Sequence, residues 1–111
     1  MKEVIVSIET GIPQSFQLMG HKITVKVIPK ARWRRKSCVG VWIPDKLRIE
    51  LLDDGEASVV QHTFCHELTH AMLDMISHEL SRDEQFVDQL GALLQQALTT
   101  FEIKSARTKN K

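Results

Sequence analysis

The run from residue 59 to residue 77 constrains the fold of this chain more than any other stretch. Its apolar residues recur at spacings of three and four, as they do on a helix with one buried face. They are Val60, Phe64, Leu68, Ala71, Met72, Met75 and Ile76. The run follows Asp53-Asp54-Gly55, a turn sequence whose acidic residues suit the positive end of a helix dipole. The sequence therefore predicts a long, half-buried helix here.

The predicted helix carries the pattern H-E-x-x-H at residues 66–70. Residues four apart lie one turn apart on the same face, so His66 and His70 can offer two imidazole nitrogens to one metal ion. Glu67 can direct its carboxylate at a water molecule held by that metal. A catalytic zinc site of this type needs a third protein ligand and an open position for water. The pattern predicts such a site, with its third ligand elsewhere in the chain.

A second helix is expected after the short link at residues 77–80. Ser81 is a favourable N-cap residue, and Ser81-x-x-Glu84 matches a capping box. An apolar stripe follows at helical spacing. It consists of Val87, Leu90, Leu94, Leu98 and Phe101. Because the link is short, we expect the second helix to run antiparallel to the first.

Glu84 has two competing roles in this prediction. It is either the capping-box glutamate or the third zinc ligand, and His78 and Glu79 in the link are the alternative ligands. If Glu84 binds the metal, Asp88 lies one turn further on and can accept the ring N–H of a ligand histidine. Gly91 lies on the same side and would allow the helices to approach closely. A helical glycine costs about 1 kcal/mol relative to alanine, so a packing reason is expected.

Several runs before the first helix predict strands. Residues 22–28 alternate between polar and apolar, and residues 4–8 form a shorter β-rich run. Residues 39–43 and 47–51 are separated by Pro44-Asp45-Lys46, which predicts a hairpin. The expected fold class is α+β. A small, mostly antiparallel sheet of three or four strands packs on the metal-site helix, and a second antiparallel helix follows.

The strand Leu47, Arg48, Ile49, Glu50, Leu51 runs almost directly into the metal-site helix. At a sheet edge, its free backbone groups could pair with an extended peptide substrate. The alternative is that the strand has only a structural role in the sheet. Both interpretations remain open from the sequence.

Composition narrows the class of protein. A chain of 111 residues with 42% hydrophobic and 26% charged residues is ordinary for one globular domain. We expect that domain over residues 1–103 and a basic, disordered tail over residues 104–111. No signal-peptide pattern and no apolar run of about 20 residues is present, so we expect a cytoplasmic protein without a membrane partner. The two cysteines, Cys38 and Cys65, fit reduced thiols in that compartment.

The segment from Lys30 to Lys36 concentrates five cations around Trp33. Such a segment could bind a phosphate backbone while the ring stacks on a base, and the basic tail could add to this contact. The alternative is a solvated connection between strands. Because the net charge is only +1, we expect the solvated connection and no nucleic-acid partner.

The two motifs together resemble those of the gluzincin metallopeptidases. His66-Glu67-Leu68-Thr69-His70 followed by Glu84-Gln85-Phe86-Val87-Asp88 looks like H-E-x-x-H with a later E-x-x-x-D. The likeness extends to small metallopeptidase-like proteins of phages and prophages related to the ImmA/IrrE group and the minimal gluzincins, over about residues 20–101.

This resemblance implies a zincin-like fold and a phage-encoded protein that acts in a bacterial host. It implies that His66, His70 and Glu84 bind Zn²⁺, that Glu67 is the general base and that Asp88 orients a ligand histidine. It also implies the substrate-binding edge role for residues 47–51. The chain departs from the family in two respects: the gap from His70 to Glu84 is short, and no Tyr or His follows Glu84 to stabilise an oxyanion. His78, Arg82 and His62 are the remaining candidates for that role.

The function expected from these observations is zinc-dependent hydrolysis of peptide bonds in a peptide or protein substrate. A zinc-stabilised interaction module without catalysis is the first alternative. A nucleic-acid-binding protein using residues 30–36 is the second.

Overall fold

A four-stranded sheet and two helices make up the part of the chain that the computed structural model describes, residues 11–102. The strands are β1 (Ser15–Leu18), β2 (His21–Pro29), β3 (Gly40–Ile43) and β4 (Arg48–Asp53). The helices are α1 (Ala57–Met75) and α2 (Glu84–Thr100). The predicted α+β class is confirmed for these residues. The predicted strand at residues 4–8 and the basic tail lie outside them.

The sheet has the order β1-β2-β4-β3. β1 and β2 are antiparallel, as are β3 and β4, whereas β2 and β4 are parallel. The predicted hairpin of β3 and β4 is confirmed, and it folds back so that β4 lies between β2 and β3. The sheet is therefore mixed.

Strand β1 was not predicted from the sequence. It forms a hairpin with β2 through Met19 and Gly20, whose φ angles are 50° and 82°. Two consecutive positive φ values are typical of a tight hairpin turn that follows the sheet twist. Glycine adopts this conformation readily, but methionine rarely does, so Met19 gave no turn signal.

Helix α1 packs most of its predicted apolar stripe on one face of the sheet, but Ile76 lies just beyond the helix and is 61% exposed. Ile23, Ile49 and Leu51 are fully buried against α1. The Phe16 and Phe64 rings meet edge to face, with centroids 6.0 Å apart. This packing fixes the rotation of α1 about its axis, and the opposite face, with its histidines, is directed away from the sheet core.

Helix α2 returns antiparallel to α1, as predicted. Its Gln95 Nε2 donates to the Ser58 carbonyl near the start of α1, at 3.2 Å. The predicted N-cap at Ser81 is wrong, because Ser81 lies in a short 3₁₀ turn, Glu79–Arg82. Asp83 caps α2 instead, and its Oδ1 accepts a hydrogen bond from the Phe86 amide at 3.0 Å. None of the helices within residues 11–102 has the length and apolar character needed to cross a membrane.

Candidate metal centre

Helices α1 and α2 bring His66, His70 and Glu84 together. The Glu84 Oε1 atom lies 3.0 Å from His66 Nε2 and 3.3 Å from His70 Nε2. One ligand atom from each of the three residues lies within 4.8 Å of the others. In a tetrahedral zinc site with bonds of about 2.0–2.1 Å, neighbouring ligand atoms lie about 3.3 Å apart. The three side chains therefore form a cluster that can hold a metal ion, as the sequence predicted for these residues.

Hydrogen bonds on the far side of each imidazole assign the tautomers. His70 Nδ1 lies 2.6 Å from the Ser81 carbonyl oxygen, which can only accept, so this nitrogen carries a proton. His66 Nδ1 faces the Asp88 carboxylate at 3.3 Å and is assigned in the same way. Both Nε2 atoms of the neutral rings then present lone pairs toward Glu84. Three acceptor atoms that converge in this way repel one another unless a cation or added protons lie between them.

Asp88 lies beside His66, where the sequence predicted it, and it also contacts a second histidine. Its Oδ1 atom lies 3.2 Å from His62 Nε2, while His62 Nδ1 faces Gln95 Oε1 at 3.2 Å. His62 is therefore engaged with α2 and is not part of the metal-ligating cluster found among the described residues. Its contacts support Asp88, which in turn orients His66.

Glu67 is buried beside the cluster, with 8% of its surface exposed. Burial is the strongest influence on its carboxyl and raises its pKa above the ordinary value. Protonation of His70 or His66 would act in the opposite direction, as does a hydrogen bond that the Trp42 backbone amide donates to the carboxylate. The neighbouring Glu84 raises the pKa further. Glu67 is thus a carboxyl group with a raised proton affinity beside the candidate metal site.

The cluster opens into a cleft of about 760 Å³ between β3 and the helix pair. The side chains of the predicted site, His66, Glu67, His70, Glu84 and Asp88, all line it. Arg82 is the one lysine or arginine among the lining residues.

The alternative third ligands lie elsewhere. His78 caps the 3₁₀ turn, where its Nδ1 accepts from the Leu80 amide at 3.0 Å, and its ring stacks on Phe86. Neither His78 nor Glu79 lines the cleft or belongs to the metal-ligating cluster of the described residues. The corrected cap explains why Glu84 is available: Asp83 satisfies the helix N-terminus, so the Glu84 carboxylate can turn toward the histidines.

Of the two interpretations left open for Leu47, Arg48, Ile49, Glu50 and Leu51, the edge position is wrong and the structural role in the sheet holds. β4 pairs with β2 on one side and with β3 on the other, so its backbone groups are used within the sheet. The strand at the edge of the described sheet, beside the cleft, is β3. Sequence reasoning recognised the hairpin but could not tell which of its strands faces outward, because that depends on which of them pairs with β2, a strand distant in the sequence.

Two features of the cleft went unrecognised in the sequence. One is the Ser81 carbonyl that holds His70, a backbone contact that no side-chain pattern reports. The other is Trp42, whose ring Nε1 donates to Asp74 at 3.1 Å and whose amide reaches Glu67. The basic segment at residues 30–36 does not line the cleft. Within it, Arg35 pairs with Glu50 at 3.4 Å and the Trp33 ring donates to the Cys38 carbonyl.

No protein family, no curated protein and no solved structure matches this chain in the three comparisons.

Proposed function

We propose that this chain is a zinc-dependent peptidase with a zincin-like arrangement, in which His66, His70 and Glu84 hold the zinc and Glu67 is the general base. The observation that carries the proposal is the convergence of both histidine Nε2 atoms on the Glu84 carboxylate at 3.0 and 3.3 Å. Two imidazoles and one carboxylate form a donor set typical of catalytic zinc, with a fourth position left for a reactant.

The roles of the other side chains follow from their contacts. When bound, zinc polarises a carbonyl group and lowers the pKa of a water molecule that it holds. Glu67 takes the proton from the attacking water and passes it to the leaving amine. Its position supports this role, because the Glu67 carboxylate lies beside the metal cluster and lines the same cleft. Asp88 and the Ser81 carbonyl keep the two histidines in the tautomer that presents Nε2 to the metal.

An extended peptide is the substrate that best fits the cleft. β3 lies at the edge of the described sheet, and an edge strand can add a peptide strand through backbone hydrogen bonds. This moves the proposed substrate-binding role from residues 47–51 to residues 40–43. Arg82 is the candidate for stabilising the oxyanion, since His78 lies away from the cleft and His62 is engaged by Asp88 and Gln95.

The decisive experiment compares wild type with Glu67→Gln, both loaded with zinc, on a pooled library of internally quenched peptides. We expect equal zinc content and a loss of hydrolysis by a factor of about 100 or more, because the variant lacks the proton acceptor. Glu79→Gln removes a carboxylate outside the cleft and is the matched control. Full activity in Glu67→Gln would contradict the proposed mechanism. Zinc binding without hydrolysis in the wild type would favour the non-catalytic, zinc-stabilised module.

A further inference from the structure

Strand β3 passes unusually close to α1 at Gly40. A Cβ atom placed on Gly40 would lie 2.5 Å from Thr63 Cγ2, 3.2 Å from Glu67 Cγ and 3.4 Å from Glu67 Oε2. The first distance is a severe overlap, and the second is tighter than most contacts of real side chains. No residue with a side chain fits at position 40 without displacing α1 side chains.

The register of the hairpin explains this close contact. Gly40 lies opposite Leu51 and Trp42 lies opposite Ile49, and the side chains of Leu51 and Ile49 are buried under α1. Cross-strand partners share a face of the sheet, so positions 40 and 42 also face α1.

Backbone groups of β3 also point toward this part of α1, near Glu67. The Leu52 amide donates to the Val39 carbonyl at 2.9 Å, so Val39 belongs to a hydrogen-bonded pair with β4. Because such pairs alternate along an antiparallel ladder, the backbone groups of Gly40 and Trp42 point away from β4. The Trp42 amide donates to the Glu67 carboxylate from this open edge.

Thr63 cannot easily make room for a larger residue at position 40. It is buried, and its hydroxyl donates to the Val59 carbonyl at 3.0 Å. A β-branched side chain in a helix is also restricted in χ1, so the Cγ2 methyl group is held in place.

We propose that Gly40 is a positioning residue for Glu67. Its missing side chain lets β3 approach until the Trp42 amide contacts the Glu67 carboxylate, and a Cβ atom at this position would press on Glu67 Cγ at 3.2 Å. The inference rests on the proposed role of Glu67 as general base. It means that the edge strand β3 also fixes the orientation of the Glu67 carboxylate.

Three variants separate this role from ordinary packing: Gly40→Ala, Thr63→Ser and the double variant. Thr63→Ser keeps the hydroxyl and removes the Cγ2 methyl group that an alanine at position 40 would strike. In the double variant, the 2.5 Å overlap with Thr63 Cγ2 is therefore absent. The new Cβ atom at position 40 keeps only its close contact with Glu67. We expect Gly40→Ala alone to be strongly destabilised, and the double variant to have a Tm near that of Thr63→Ser and a full zinc content.

Two readouts on the zinc-loaded proteins test the positioning role. We expect the double variant to lose kcat by about tenfold, because a displacement smaller than 1 Å misaligns the base, whereas a rise in KM alone would report altered peptide binding by β3. In ¹H–¹⁵N NMR spectra, we expect the Trp42 amide resonance to move upfield as its hydrogen bond to Glu67 lengthens. Thr63→Ser should leave both unchanged, and Glu67→Gln establishes how strongly the Trp42 resonance reports on the carboxylate.

A double variant with wild-type kcat and a wild-type Trp42 resonance would overturn the proposal and leave Gly40 as a spacer for Thr63. If the wild type hydrolyses no peptide, the proposed function fails. The NMR comparison still decides whether Gly40 positions Glu67, so the two failures are distinguishable.

Discussion

Glu84 is available to the histidines because its neighbour caps the helix. Asp83 accepts a hydrogen bond from the Phe86 amide at 3.0 Å and so satisfies one free N–H at the start of α2. The Glu84 carboxylate instead approaches His66 and His70, and 72% of its side-chain surface remains exposed. An exposed carboxylate gains little from contact with two neutral histidines whose Nε2 atoms carry no proton. A metal ion bound by Glu84 and the two histidines would stabilise this conformation of Glu84.

Glu84→Ala should weaken zinc binding by more than about 100-fold, which is the upper range for losing a residue that only supports a ligand. The measurement is zinc content after gel filtration, followed by competition with a chelator of known affinity. Glu79→Ala is the matched control, because it removes a carboxylate from the same turn region but outside the cleft. Zinc affinity that is unchanged in Glu84→Ala would remove Glu84 from the site.

The two cysteines should differ sharply in reactivity. Cys38 is exposed, whereas Cys65 is buried, and burial raises the pKa of the Cys65 thiol to about 11. At pH 8 the folded chain should therefore contain almost no Cys65 thiolate, the form that reacts with alkylating agents. Mass spectrometry after iodoacetamide treatment should find Cys38 modified alone, and both cysteines modified in guanidinium chloride. Native modification of Cys65 would show that the α1 core opens readily.

At the scale of elements, the contact between α1 and α2 determines whether the site can form. A Cβ atom on Gly91 would lie 3.1 Å from His66 Cα and 3.2 Å from the Cys65 carbonyl oxygen. These are backbone atoms of α1, so they cannot rotate away as a side chain would. The predicted packing reason for this glycine is confirmed. Without that close approach, Glu84 and Asp88 could not reach their histidines.

Gly91→Ala should destabilise the protein although alanine favours helix by about 1 kcal/mol. Pushing the helices apart costs about 1–3 kcal/mol in a packed interface, so we expect a net loss of stability and weaker zinc binding. Denaturant unfolding of the zinc-loaded and zinc-free proteins measures both effects. Ala92→Gly, at the next and exposed position, is the matched control and should cost about 1 kcal/mol without changing zinc affinity. A more stable Gly91→Ala protein would contradict this account of the interface.

At the scale of the molecule, the second helix has a small share in the core. α2 buries only Val87 and Gly91, while α1 buries eight residues, most of them against the sheet. A domain of this size buries little apolar surface in total, so a further link between its elements matters for stability. The proposed zinc would therefore add a second link between α2 and α1, beside the close contact of the two helices at Gly91.

Removing the metal should lower the stability of the whole domain and loosen α2 most. Free zinc at about 1,000 times the dissociation constant stabilises a folded protein by about 4 kcal/mol, so we expect a chelator to lower Tm by more than about 10 °C. Hydrogen exchange should accelerate more in α2 than in β2 and β4, and added zinc should reverse both changes. Equal acceleration in the sheet and in α2 would show that the metal does not join the helices in this specific way.

Sequence alone predicted the elements whose signals are local. The spacing of His66 and His70 gives a shared helix face, and the alternation of residues 22–28 gives a strand. It also led to the candidate set of His66, His70 and Glu84, which the structure brings together. It missed β1 because the turn before β2 contains Met19, a residue that carries no turn signal at positive φ.

Tertiary structure alone decided which strand lies at the edge of the described sheet, which residue caps α2 and why Gly40 is a glycine. The physical reason is the range of the interactions. Helical periodicity fixes the positions of residues four apart, whatever the rest of the chain does. Sheet order depends on which distant strands pair, and the fit of Gly40 against Glu67 depends on that order, so neither can be read from local spacing.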